Sequence, residues 1–401
     1  MIREMQRSRR ALVTRPAAMA VSVIAVALCL LAASPCAAQS DAKKAAPAQA
    51  LRFEELDPVA IAPGTPRDIA AVGDCVYVAD GSGGLTILDV ADPARIRVAG
   101  RYAPGDAGDE VLGEKHVIET PDDAVAVSVS GRFAFLLTRS MGPDPVRSRV
   151  LRIDVSNPAK PDLADAYVFG GDVKGIAAID GTRVCVARDQ HPFLGQSAFC
   201  VLDFHEAGSP RIAGELTASG EDRFAPCAVA VKGSVAILAS CRDGLRTVDL
   251  RNPESPGILG HYYDRDLNSM GCQNVKVAGN VAYLADFNGG LYLVDNSDPK
   301  APKGIFRYAM DEARAVDVTG STAFVADGEH GIRAIGVGDP AEPRLLGVWR
   351  AKNCDITAIA AAHDSRGGIV LCAVDEGGLR AFRVTSAASR ALALPPSGMG
   401  R

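Results

Sequence analysis

The chain is short of aromatic residues: phenylalanine, tyrosine and tryptophan make up 5% of its 401 residues, and there is a single tryptophan. A fold that seats a tryptophan in every repeat is thereby excluded. Helical signal is missing as well. After residue 50 no segment sustains apolar residues at a spacing of 3.6, so almost no helix is expected. There is no excess of positive charge, since 43 Lys and Arg stand interspersed among 48 Asp and Glu for a net charge of −5. That balance excludes a nucleic-acid-binding surface. The six histidines, His116, His191, His205, His261, His330 and His363, include no pair at metal-binding spacing on one element, and no metal is expected. No Gly-x-Ser-x-Gly elbow occurs, and neither catalytic residues nor a cofactor is expected.

What is abundant is apolar residues, at 48%, together with 40 glycines and 24 prolines. The first forty residues read as a targeting signal. Arg3, Arg7, Arg9, Arg10 and Arg15 precede an apolar run from Ala17 to Ala33, and small residues follow. Cleavage after Ala38 fits this pattern, with Cys36 and Ala38 at the −3 and −1 positions. Ser8 to Leu12 resembles a twin-arginine export signal. The expected order is a signal peptide over 1–38, a linker over 39–50, a folded domain over 51–385 and a disordered tail over 386–401. Export to the periplasm or cell surface is expected, with no membrane span once the signal is removed. Of ten cysteines, removing Cys29 and Cys36 leaves eight, an even number that permits disulfides in an oxidising compartment.

Glycines and prolines punctuate an internal repeat. Val281–Asp286, a glycine pair, Leu291–Asp295 and Asp298-Pro299 form its clearest copy, and Val76–Asp80, Gly83-Gly84, Leu85–Asp89 and Asp92-Pro93 form another. Ala323–Asp327, Gly331–Ile335 and Asp339-Pro340 follow the same order, and four weaker copies bring the total to seven. The end-of-strand aspartates Asp89, Asp154, Asp203, Asp249 and Asp295 are 65, 49, 46 and 46 residues apart. This period is too long for a solenoid coil and suits a four-stranded blade. Each unit parses into strands a to d. Strand a is rich in small residues, as in Ile69–Val72 and Ile356–Ala361, because innermost strands converge on the axis. The fold class is all-β: a seven-bladed β-propeller. Its last copy lacks strand d, so residues about 53–62 are expected to pair with strand c of blade seven and close the ring.

Leu85–Asp89 and Leu291–Asp295 with their trailing Asp-Pro resemble the LVIVD repeat. The resemblance spans about residues 51–385 and implies a bacterial or archaeal secreted or surface propeller, with no catalytic residues to carry over. The paired-glycine and tryptophan signatures of quinone-cofactor propellers are missing.

Candidate sites follow from the register. Asp80, Asp286, Asp327 and Asp375 end strand b on different blades, which suits backbone acceptors in the b–c turn better than one cation site. The aligned starts of strand a read Arg67, Lys174, Cys227, Gln273 and Arg314 and should ring the channel mouth. Three cations in that ring suit an anionic or polar ligand; solvated strand ends are the plain alternative. His191 and His330 fall in b–c loops and should share that face. Long loops at 103–123, 139–149, 188–198 and 261–272 all extend from it, and such loops are where binding resides. One disulfide is expected within Cys227, Cys241 and Cys272. Lys276 and Asp317, in one register of adjacent strands a, should face each other across a blade boundary. The functional expectation is a non-catalytic binding or scaffold propeller for a protein or polar ligand. The alternative is a periplasmic propeller hydrolase or lyase with its site at the channel mouth.

Overall fold

The computed structural model describes residues 51–61, 64–104, 110–111, 114–115, 122–140, 147–188, 199–205, 209–216, 226–240, 244–263 and 271–386. Its contacts divide the chain into Met1–Ala42, outside the described residues, and Lys43–Arg401, which carries the fold. All regular structure among the described residues is β: seven four-stranded antiparallel blades, plus the short pair Glu110–Val111 and Glu114–Lys115. The molecule is a seven-bladed β-propeller. Blade one runs Asp68–Val72 (strand a), Cys75–Ala79 (b), Leu85–Asp89 (c) and Arg97–Tyr102 (d); in the same order, blade two runs from Asp123–Ser130 to Asp162–Gly170, blade three from Val173–Ala178 to Arg211–Leu216 and blade four from Pro226–Lys232 to Gly257–Tyr262. Blade five runs Cys272–Ala278, Val281–Asp286, Gly290–Asp295 and Lys303–Tyr308, and blade six Ala315–Thr319, Thr322–Ala326, Ile332–Gly336 and Arg344–Trp349.

The repeat motif does structural work that can be followed atom by atom. Strands b and c are apolar at almost every position because both faces of each blade are covered by neighbouring blades. The aspartate closing strand c folds the chain back: Asp89 accepts from the Ala91 N–H at 3.1 Å, Asp249 from Arg251 at 2.9 Å and Asp295 from Ser297 at 2.8 Å. Three residues on, the Asp or Asn before proline does the same, as Asp298 does with Lys300 at 3.0 Å, and proline fixes φ for the turn. The next blade's turn then lies on the preceding blade's strand d, where a glycine is required. A Cβ on Gly260 would stand 2.5 Å from the Pro299 carbonyl oxygen, and one on Gly214 2.4 Å from that of Pro253.

Blade seven comprises Ala358–His363, Ile369–Asp375 and Gly378–Ser386, completed by the N-terminal strand Leu51–Glu55. Closure follows the expected logic but not the expected position. Leu51 pairs with Ser386 and Glu55 with Phe382, and the Leu56 N–H donates to the Ala381 carbonyl at 2.9 Å. The strand lies at 51–55 rather than 53–62, because the apolar residues that fit the blade are Leu51 and Phe53. Phe53 meets Phe324 of blade six and Phe382 of blade seven edge-on, each at 6.3 Å. Past this strand, Ile61 is buried among Val76, Ala360 and Val374.

Candidate functional site

The seven strands a converge around a cavity of about 460 Å³. Its lining includes Arg67, Lys174, Cys227, Gln273 and Arg314, so the five ring positions read from the register come together in one place. Val125 and Thr357 complete the ring in blades two and seven. His330 is not part of it. It sits in the b–c turn of blade six, 3.7 Å from Asp311. His191 and Cys241 lie outside the described residues, as do 1–38, 39–50, 387–401 and most of the long loops.

Each ring cation has an acidic partner. Arg67 lies 3.6 Å from Asp123 of the next blade, and Arg314 lies 3.1 Å from Asp355 of its next blade. Arg314 also approaches Glu312 at 3.5 Å and stacks over the Phe287 ring at 5.1 Å. Lys174 holds Asp172 at 2.5 Å, and Arg139 reaches the same carboxylate at 2.8 Å. The rim therefore carries Arg67, Arg139, Lys174 and Arg314 against Asp123, Asp172, Glu312 and Asp355. That is four charges of each sign, so the three cations of the ring stand among carboxylates rather than alone. The acids were missed because they stand at or before the start of strand a, outside the repeat motif. A signal existed: Asp123, Asp172, Glu312 and Asp355 each stand two residues before a ring position.

Below the rim the channel keeps charges. Lys276 Nζ lies 3.7 Å from Asp317 Oδ1, facing it across the boundary of blades five and six as the register requires. Asp68, in the cavity lining, is pushed above the usual carboxylate range by burial, which the Val127 N–H and the Lys276 charge only partly offset.

The four aspartates ending strand b are structural. Asp286 accepts from the Asn288 and Gly289 N–H groups at 3.1 and 2.8 Å, Asp327 from Glu312 N–H at 3.1 Å and Arg333 Nε at 2.5 Å, Asp375 from Gly377 N–H at 2.8 Å and from Arg380, and Asp80 from Thr86 at 3.3 Å. All four are buried. Burial pushes the carboxyls of Asp80 and Asp286 up. No group of three or more His, Cys, Asp or Glu among the described residues is arranged to hold a metal ion.

The cysteine trio is narrowed. Cys272 is a free thiol, buried with Ala228, Ala239 and Leu245, and burial pushes its pKa well up. Its apolar packing between blades four and five takes it out of the candidate disulfide. Cys227 is not one of the six free thiols.

The LVIVD repeat model matches residues 63–103, 151–168, 271–310 and 312–350. No curated protein matches the chain. Among solved structures, the chain is similar to the WD40 repeats of RRP9, with a TM-score of 0.56 at 13% identity over 85% of this chain and 99% of that one. It is also similar to the computationally designed Ika8 protein, with a TM-score of 0.51 at 9% identity over 82% and 98%. At such identities the likeness concerns the fold alone. Four copies matched by the repeat model, set in blades whose turns the motif's own side chains close, make this chain a β-propeller with LVIVD repeats.

Proposed function

We propose that this is an exported, non-catalytic binding propeller that takes a polar ligand or a segment of a partner protein at the mouth of its central channel. The observation that carries the reading is the rim. Five aligned repeat positions converge on one cavity, and its carboxylates are bridged to cations rather than to one another. Acid–base chemistry uses two titratable groups pushed apart in pKa and within reach of one reacting atom; each rim carboxylate is instead held by one or two cations. Such a surface recognises by shape and paired polar contacts, and a rigid ring of strands holds it in place. Export rests on the N-terminal pattern of arginines, apolar run and small residues.

The test is photocrosslinking in cells that make the full chain. A photoreactive residue replaces the exposed Gln273 on the rim, or Val72, which is 47% exposed at the far end of strand a. A discrete adduct from position 273 that is missing from position 72 supports the reading. Equal adducts from both positions, or none from 273, overturn it.

A further inference from the structure

Strand a of one blade is clipped to strand a of the next by a polar side chain that accepts a backbone N–H. Asp68 accepts from Val127 at 3.0 Å, Ser128 from Ala178 at 3.0 Å, Asn274 from Val316 at 3.4 Å and Asp317 from Ala361 at 2.8 Å. Ser128 and Asn274 show that this clip needs an oxygen, not a charge. The carboxylates of Asp68 and Asp317 therefore carry charge that the fold does not require, in a narrow channel where charge is costly to desolvate. Lys276 is the ammonium that faces them, 3.7 Å from Asp317 and close enough to influence Asp68. Two carboxylates against one ammonium leave one negative charge beneath a rim whose charges balance.

We propose that the cavity binds an organic cation, a primary ammonium or guanidinium group, at the carboxylate of Asp68, with Asp317 supporting it and Lys276 opposing it. The inference rests on the channel-mouth reading and names the chemistry of that site. A cavity of about 460 Å³ holds a group of amino-acid size. Asp68 accepts from the Val127 N–H through Oδ2 and is also bonded by the Ile69 N–H, which fixes the carboxylate in the cavity lining where a ligand would meet it. An organic cation brings its own hydrogen-bond donors and needs one or two acceptors, whereas a divalent metal needs six or more oxygens or a tight set of side chains. The half-exposed Arg67, loosely paired at 3.6 Å, and the exposed Gln273 are placed above to meet a carboxylate or carbonyl on the other end of the same ligand. The same cationic head can arrive on a free amine or amino acid, or on a Lys or Arg side chain of a polypeptide.

Titration calorimetry on the signal-free protein tests this with L-lysine, L-arginine, cadaverine and a blocked Lys-containing tripeptide, with potassium chloride and sodium acetate as controls. The expected result is saturable binding of at least one amine probe, absent with both controls. Free amines saturating the site identify a small-molecule source, and binding of the blocked peptide alone identifies a side-chain source. Asp68→Asn keeps the acceptor for Val127 and loses the charge, so affinity should fall at least tenfold while folding is retained. Lys276→Gln should tighten binding several-fold, an opposite sign that general damage cannot mimic and that can be read even if Asp68→Asn fails to fold. Amines behaving like potassium chloride at matched ionic strength, unchanged affinity in Asp68→Asn, or weaker binding in Lys276→Gln would each overturn the proposal. Crosslinking at position 273 that persists while amines fail to bind would sink this inference and leave the channel-mouth reading standing.

Discussion

Phe53 is the residue on which ring closure turns. Its ring sits between Phe324 and Phe382, within the cluster that includes Leu371, Val384 and Trp349. Replacing a fully buried Phe by Ala costs roughly 3–5 kcal/mol. Phe53 is partly buried, so about 2–3 kcal/mol is expected for Phe53→Ala, its edge-to-face contacts included. The ion pairs of the same strand, Glu55 with Arg380 at 2.7 Å and Glu54 with Arg383 at 3.1 Å, are substantially exposed. Such pairs contribute about 0–1 kcal/mol. The apolar contact therefore outweighs the charges, and Glu54→Gln with Glu55→Gln should shift the urea midpoint far less than Phe53→Ala. The sole tryptophan is a built-in reporter. Trp349 ends strand d of blade six, 4.7 Å from the Phe382 ring of blade seven and stacked under Arg380 at 5.4 Å. Removing residues 51–56 should shift its emission to the red and abolish cooperative unfolding, whereas removing 387–401 should leave both intact. A loss below about 1 kcal/mol in Phe53→Ala, or unchanged tryptophan emission without residues 51–56, would refute the closure argument.

The remaining expectations concern processing, cross-linking and turns. Intact-mass measurement on protein recovered from outside the cytoplasm should place the mature N-terminus near Gln39; a mass that includes residues 1–38 contradicts this. We propose a Cys227–Cys241 disulfide, so the denatured mature protein should titrate six thiols before reduction, the six now free, and eight after it. Eight thiols from the start would remove the bridge. Gly290→Ala should cost more than about 2 kcal/mol, because φ is +90° and the new Cβ would stand 2.3 Å from the Tyr308 carbonyl oxygen; Gly279→Ala, at φ +57° in open space, should cost only about 1–2 kcal/mol. Comparable urea midpoints for the two would show that the b–c turn yields. Arg132 beside Asp154, with help from Ser156, holds that carboxyl down at about 2. A lowered folded pKa stabilises above the unfolded value and is lost below it. The stability gap between the wild type and Asp154→Asn should thus be constant above about pH 5 and close progressively as pH falls towards about 1; a gap that persists at about pH 1 would assign the effect to something other than charge.

Much of the architecture was legible because the repeat is written in side chains that act locally. Asp295 and Asp298 build their turns within two residues of themselves, so their spacing survives in the sequence wherever the turn survives in space. Register carries further: once strands a are aligned, Arg67, Lys174, Cys227, Gln273 and Arg314 must meet at one rim, and they do. What depends on pairing between blades was harder to read. The closing strand lies earlier than expected because the connection from it to strand a of blade one is longer than most d–a connections of the repeats. The rim acids escaped because the repeat motif does not include them, although each stands two residues before a ring position. Cys272 points into an apolar interface between blades, which its place at the start of strand a does not reveal.

A repeat protein supplies its own reference for what the fold needs. Where the strand-a register holds Lys276 and Asp317, other blades hold Ala70, Ser128, Ala177, Ala230 and Ala360. Those five show that an alanine or a small neutral acceptor suffices to line the channel. The pair at 3.7 Å, with Lys276 partly exposed, contributes about 0–1 kcal/mol, too little to account for two charges by stability. The same comparison separates Asp68 from Asn274, which stands in the equivalent register of blade five and clips its neighbour without charge. The departures from the internal consensus at Asp68, Lys276 and Asp317 thus add charge to one passage beneath the converging cavity, and the partial desolvation of that charge is what the proposed ligand, entering from the mouth, would offset.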